Sequence, residues 1–88
     1  MTETVRRVQR MELYFNALQA AHAADPALLR DDPCFATMLS ALTDYYEGPL
    51  WRADFAADER GELPCDLLRG VLSEDGVYNF LTSVETFQ

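Results

Sequence analysis

Four prolines divide this chain, and each stands where a helix must start or stop. Proline lacks the N–H that a helix interior needs, and it pushes the preceding residue out of the α region. Asp25-Pro26 therefore ends any helix begun near the N-terminus. Asp32-Pro33 does the reverse, because Asp is a favoured N-cap and Pro fits the first helical turn. Gly48-Pro49 closes that second segment, Gly at its end and Pro just beyond. Pro64 opens a short helical turn that Gly70 closes.

The residues between these marks have helical spacing. Val5, Val8, Met11, Phe15, Leu18 and His22 recur every three or four positions, with Tyr14 and Ala21 widening the stripe. Arg6, Arg7, Gln9 and Arg10 fall elsewhere on the wheel. This predicts a first helix from Thr2 or Thr4 to about Ala24. Phe35, Met38, Leu39, Leu42, Tyr45 and Tyr46 predict a second. Ser73 caps a third, with Glu74 and Asp75 in the first turn, where the helix dipole favours negative charge. Its buried face is Val77, Phe80, Leu81, Val84 and Phe87. Tyr45, Tyr78 and Phe80 are assigned to this frame. No period holds from Leu50 to Glu62, and Arg60-Gly61 reads as a turn. No strand pattern occurs. The expectation is an all-α fold: one domain, residues 1–88, built as a compact bundle of three main helices plus one short helix, with an ordered acidic connection.

Charge narrows the function. The net charge is −8, divided unevenly. Residues 1–43 hold five acids and four Arg, whereas residues 44–88 hold ten acids and three Arg. Such a surface repels phosphate backbones, which argues against nucleic acid as a partner. It could attract a basic partner or a divalent cation, but the plainer reading, a solvated face that keeps the protein soluble, is preferred. No run approaches the roughly 18 apolar residues of a membrane span. The opening MTETVRRVQRMELYF lacks the apolar centre of a signal peptide. A cytoplasmic location with two reduced thiols, Cys34 and Cys65, follows as the expectation.

No catalytic, cofactor or metal set stands out. Asp54, Asp58, Glu59 and Glu62 could gather around a hard cation, but their spacing is that of a helix and lacks the alternating register of a calcium loop. The chain has one His and two Cys with no C-x-x-C pair, too few for an ordinary zinc site. His22 fits a core edge better than a catalytic dyad. Tyr45, Tyr46 and Trp51 are the interaction candidates, since aromatics with polar tips are favoured at interfaces. The plainer reading makes Trp51 a plug for the core, with Asp54 accepting from Arg52 or a backbone N–H.

The order YY-x4-W-x2-D, an acidic turn, L-P and then G-V-L-S-E-D-x2-Y-x2-L resembles a family of small bacterial proteins of unknown function, numbered 4298. Here it runs through Tyr45, Tyr46, Trp51, Asp54, Leu63, Pro64, Gly70, Val71, Leu72, Ser73, Glu74, Asp75, Tyr78 and Leu81. The RVQRMELYF opening is similar too, so the likeness covers nearly the whole chain. It implies a bacterial, cytoplasmic, single-domain protein with no assigned activity, in which Trp51 and Asp54 would matter.

The reading that follows is a small non-catalytic binding or regulatory protein, acting through protein–protein contacts at a surface of Tyr46, Trp51, Asp54, Asp58 and Glu59. Two alternatives stay open. One is a metal-dependent or carboxylate-based enzyme using Asp54, Asp58, Glu74 or Asp75. The other is a homodimer that buries stripe residues such as Phe35 and Phe87 between chains.

Overall fold

In a computed structural model that describes residues 2–87, five α-helices follow one another: α1 (Thr2–Ala24), α2 (Leu28–Asp31), α3 (Pro33–Glu47), α4 (Pro49–Glu59) and α5 (Glu74–Phe87). A 3-10 turn (Gly70–Leu72) precedes α5. No strand occurs among the described residues. The side chains of Thr2, Glu74 and residues 85–87 lie outside the described residues, so the expectations for a Thr2 cap, the Glu74 carboxylate and the Phe87 ring are not placed.

The proline marks act as the chemistry requires. Asp32 caps α3 by accepting from the N–H groups of Cys34 at 2.9 Å and Phe35 at 3.4 Å. Ser73 Oγ accepts from Gly76 N–H at 3.3 Å at the start of α5. Gly48 is shared: it ends α3 through a 3.0 Å bond from its N–H to Asp44 O, and it is also the N-cap of α4, with Pro49 in the first turn. A Cβ at Gly48 would stand 2.9 Å from Asp44 O, so the two helices meet this closely only with glycine between them.

Two expectations change. Most of Leu50–Glu62, expected as an irregular connection, is the helix α4. Its buried positions are Trp51, Asp54 and Ala57, and a small residue and an acid there erase the apolar period. A paired cap motif ends it: Gly61, at φ +73°, donates to Asp58 O at 3.0 Å, and Glu62 N–H donates to Ala57 O at 3.0 Å. Conversely, the turn expected from Pro64 to Arg69 is a single one, Leu67 N–H to Pro64 O at 3.1 Å, and the 3-10 turn comes after it.

The 23-residue α1 sets the long axis of a 37 × 20 × 20 Å molecule. At 1.5 Å per residue it is about 34 Å long. Its stripe of Val8, Met11, Phe15 and Leu18 is buried in one core, together with Leu42 and Tyr45 of α3, Val71 and Leu72 of the turn, and Val77, Phe80 and Val84 of α5. Phe80 meets Phe15 and His22 edge-on, each with ring centroids 5.7 Å apart. Tyr78, assigned to the frame by its sequence position, is exposed, and Phe35 is half-buried against the core. The 3-10 turn touches α1, α4 and α5 and is where the two halves of the chain join.

Candidate functional site

Helix α4 and the segment after it carry the acids and aromatics that sequence reasoning singled out. Their polar groups are used in three ties.

The first tie centres on Asp54, which is only 1% exposed. Arg7 of α1 grips it with both arms of its guanidinium, Nε to Oδ2 at 2.8 Å and Nη2 to Oδ1 at 2.6 Å. Tyr45 of α3 donates its hydroxyl to the same Oδ2 at 2.6 Å. Three hydrogen bonds thus meet one buried carboxylate, and a bidentate Arg pair is the strongest form such a contact takes. The partners expected for Asp54, Arg52 or a backbone N–H, are not the ones used. Arg7 falls outside the apolar stripe of the α1 wheel by residue type, yet it lies four residues before Met11 and eleven before Leu18, at the edge of the buried face. That spacing, set against a lone acid three residues beyond a buried Trp, was the available signal. Burial, and then the bond to Asp54, push the Tyr45 hydroxyl well above the usual tyrosine range, so it stays a neutral donor. The bond to Asp54 raises Arg7 as well. Asp54 is therefore saturated and shielded from solvent, a geometry that joins three helices.

The second tie holds the backbone of one residue, Val71, from both sides. Trp51 Nε1 donates to Val71 O at 2.9 Å, while Val71 N–H donates to Glu12 Oε1 at 2.7 Å. A Cβ on Gly70 would lie 3.2 Å from Glu12 Oε2, closer than most real contacts, so glycine lets the carboxylate in. Trp51 itself is 7% exposed, as the plug reading expected. This gives the G-V-L-S block a physical meaning. Gly70 admits Glu12, Val71 is bridged and fully buried, Leu72 enters the core and Ser73 caps the next helix.

The third tie shapes the irregular stretch. Arg69 pairs with Asp58 and also donates to the carbonyls of Pro64 and Leu67. One cation thus organises a loop whose own backbone contributes a turn bond, Leu67 N–H to Pro64 O at 3.1 Å.

The surface expected from the sequence is distributed as follows. Trp51 and Asp54 are buried, Asp58 is tied to Arg69, Tyr46 is half-buried and Glu59 is exposed. Tyr46 meets Trp51 edge-on at 5.0 Å, and Phe55 stacks on it at 5.1 Å. These three rings and Arg52 line a shallow hollow of about 380 Å³. Asp54 turns away from it, toward Arg7. Ser73 is exposed and caps α5, and Asp75 is exposed in its first turn.

Among the described residues, no three His, Cys, Asp or Glu side chains converge as metal ligands. Nor is any described helix long and apolar enough to cross a membrane. Both cysteines are free and exposed. A family model described as a domain of unknown function, DUF4298, matches residues 8–87. No curated protein and no solved structure matches the chain.

Proposed function

The chain belongs to the DUF4298 family, and from that premise we propose that it is a small non-catalytic binding protein acting through protein–protein contacts. The observation that carries this is the position of its exposed apolar side chains. Leu13 is 68% exposed and Leu68 is 71% exposed, and both line the same groove between α1 and the 64–68 loop. Scattered exposed leucines need no explanation, but two on one groove offer a partner a shared apolar foothold. The second half of the chain, with ten acids against three Arg, favours a basic partner. Of the surface read from the sequence, Tyr46 and Glu59 stay accessible, while Trp51, Asp54 and Asp58 contribute from beneath by fixing α4. The two exposed free thiols fit a reducing compartment, which makes cytoplasmic action part of the proposal.

A photo-cross-linking residue placed in turn at Tyr46, Leu68 and the exposed Thr82 tests the proposal inside the source cells. Adducts of defined mass at Tyr46 or Leu68, with none at Thr82, are the expected outcome. Equal labelling at all three positions, or none at any, would sink it.

A further inference from the structure

Residues 63–68 are held differently at their two ends and in their middle. Before them the α4 cap is closed, with Gly61 N–H on Asp58 O and Glu62 N–H on Ala57 O, each at 3.0 Å. After them Arg69 O accepts from Leu72 N–H at 2.9 Å, and Val71 is held by Glu12 and Trp51. Between these anchors the one backbone bond among the described residues is the turn from Leu67 N–H to Pro64 O. The other hydrogen bonds to this stretch come from a single side chain, Arg69, which reaches the carbonyls of Pro64 and Leu67 while it pairs with Asp58. Leu63 and Leu67, each 8% exposed, supply its apolar hold on the core.

We infer that residues 63–68 form a flap latched by Arg69, which opens as a unit while the helices stay folded. Three observations carry this. The bonds to Asp58, Pro64 O and Leu67 O all come from one guanidinium, so its withdrawal breaks them together and not one by one. The latch reaches water: the Arg69 and Asp58 side chains are 32% and 22% exposed, so solvent can replace each partner when the pair separates. Both anchors lie outside the moving residues, so opening breaks no helical bond, and segments with few bonds of their own open at the lowest free energy. Gly61 and Gly70 stand just beyond the two ends, where a hinge must absorb the change in backbone angles. Opening takes Pro64, Asp66, Leu67 and Leu68 away from the groove beside α1 and uncovers Leu63 and Leu67. That groove is therefore gated, and the Asp58–Arg69 pair sets how often it loses its wall.

The flap goes beyond the protein-binding reading and does not depend on it. Native-state proteolysis of the full chain by thermolysin, which cuts before leucine, tests it, with mass spectrometry to place the first cut. The expected first cut is Asp66–Leu67 or Leu67–Leu68, at a rate that barely changes in low urea, because a local opening exposes little surface. Asp58→Asn should speed that cut about threefold or more. Arg69→Lys keeps the charge but cannot serve three acceptors in one plane, so it should act in the same direction. Phe80→Leu, which loosens α5 on α1, should speed global unfolding and leave the flap cut unchanged. Exchange of the Leu67 N–H should follow the cut in all three variants. A first cut inside a helix would overturn the inference. A flap cut that quickens with urea or with Phe80→Leu as much as global unfolding does would also overturn it, since the segment would then open only with the whole chain. A flap cut that neither Asp58→Asn nor Arg69→Lys alters would remove Arg69 as the latch and overturn it too.

Discussion

Helices α4 and α5 are fixed to the same frame by opposite means. α5 lays an apolar stripe, Val77, Phe80 and Val84, on the core, with Phe80 edge-on to Phe15 and His22. α4 presents Trp51, Asp54 and Ala57 and is held by a carboxylate and an indole N–H. Apolar burial is non-directional, so α5 tolerates small adjustments of its partners. A hydrogen bond is directional, so α4 has one acceptable position. The lesson is that the α4 region is fixed more sharply than the rest while having less apolar surface to do it.

The strongest way to break that contrast is to remove Asp54. Asp54→Ala leaves the Arg7 guanidinium and the Tyr45 hydroxyl unpaired, and breaking a buried pair costs about 3–5 kcal/mol. The partial exposure of Arg7 places the expected loss near the lower figure. Urea denaturation reads it, and a loss under about 1 kcal/mol would mean the tie is idle. Replacing all three members with apolar residues (Arg7→Met, Asp54→Leu, Tyr45→Phe) should recover most of the stability, since well-packed substitutes for buried ion pairs are often neutral.

Next in size is Trp51→Phe. It leaves Val71 O without its donor and should cost about 1–3 kcal/mol. Hydrogen exchange at Val71 and Leu72 should speed up more than in α1; uniform acceleration would say that the indole bond is not what holds the turn.

Gly61→Ala forces a side chain into φ +73° and should cost about 1–2 kcal/mol by thermal melting. On the α5 side, Phe80→Leu keeps an apolar group in place and should cost less than about 1.5 kcal/mol. Equal losses for Phe80→Leu and Asp54→Ala would erase the distinction between the two helices.

The smallest effect is read by pH. The Tyr45 hydroxyl is raised in the folded state, chiefly by burial. Its contribution to stability is fully present below the ordinary tyrosine value of 10.0 and falls as pH rises beyond it. In an alkaline titration, phenolate absorbance should lack one tyrosine until the chain unfolds, and Tyr45→Phe should abolish that missing step. Full titration of all four tyrosines in the folded wild type would contradict it.

What was readable in the sequence follows the same division. α1, α3, α5 and the caps at Asp32 and Ser73 are visible because stripes and caps are local patterns. α4 was hidden because an acid and a small residue occupy its buried positions. Arg7 was hidden because a charge beside an apolar stripe reads as solvent-facing until its partner, 47 positions away, is known. The bond between Glu12 and Val71 spans 59 positions and leaves no local trace. Pro64–Arg69 has the marks of a helical turn and makes one, Leu67 N–H donating to Pro64 O at 3.1 Å, but the Arg69 side chain also takes the carbonyls of Pro64 and Leu67 and no helix follows.

The shared glycine between α3 and α4 has a consequence for how the chain can vary in length. With no spacer at Gly48-Pro49, the rotation of α4 is geared to that of α3. One residue inserted there would turn α4 by about 100°, carrying Trp51 off Val71 and Asp54 off Arg7 in a single step. The 64–69 loop, held by one arginine, can absorb an added residue by bulging outward. Insertions should therefore survive in the loop and fail at the elbow.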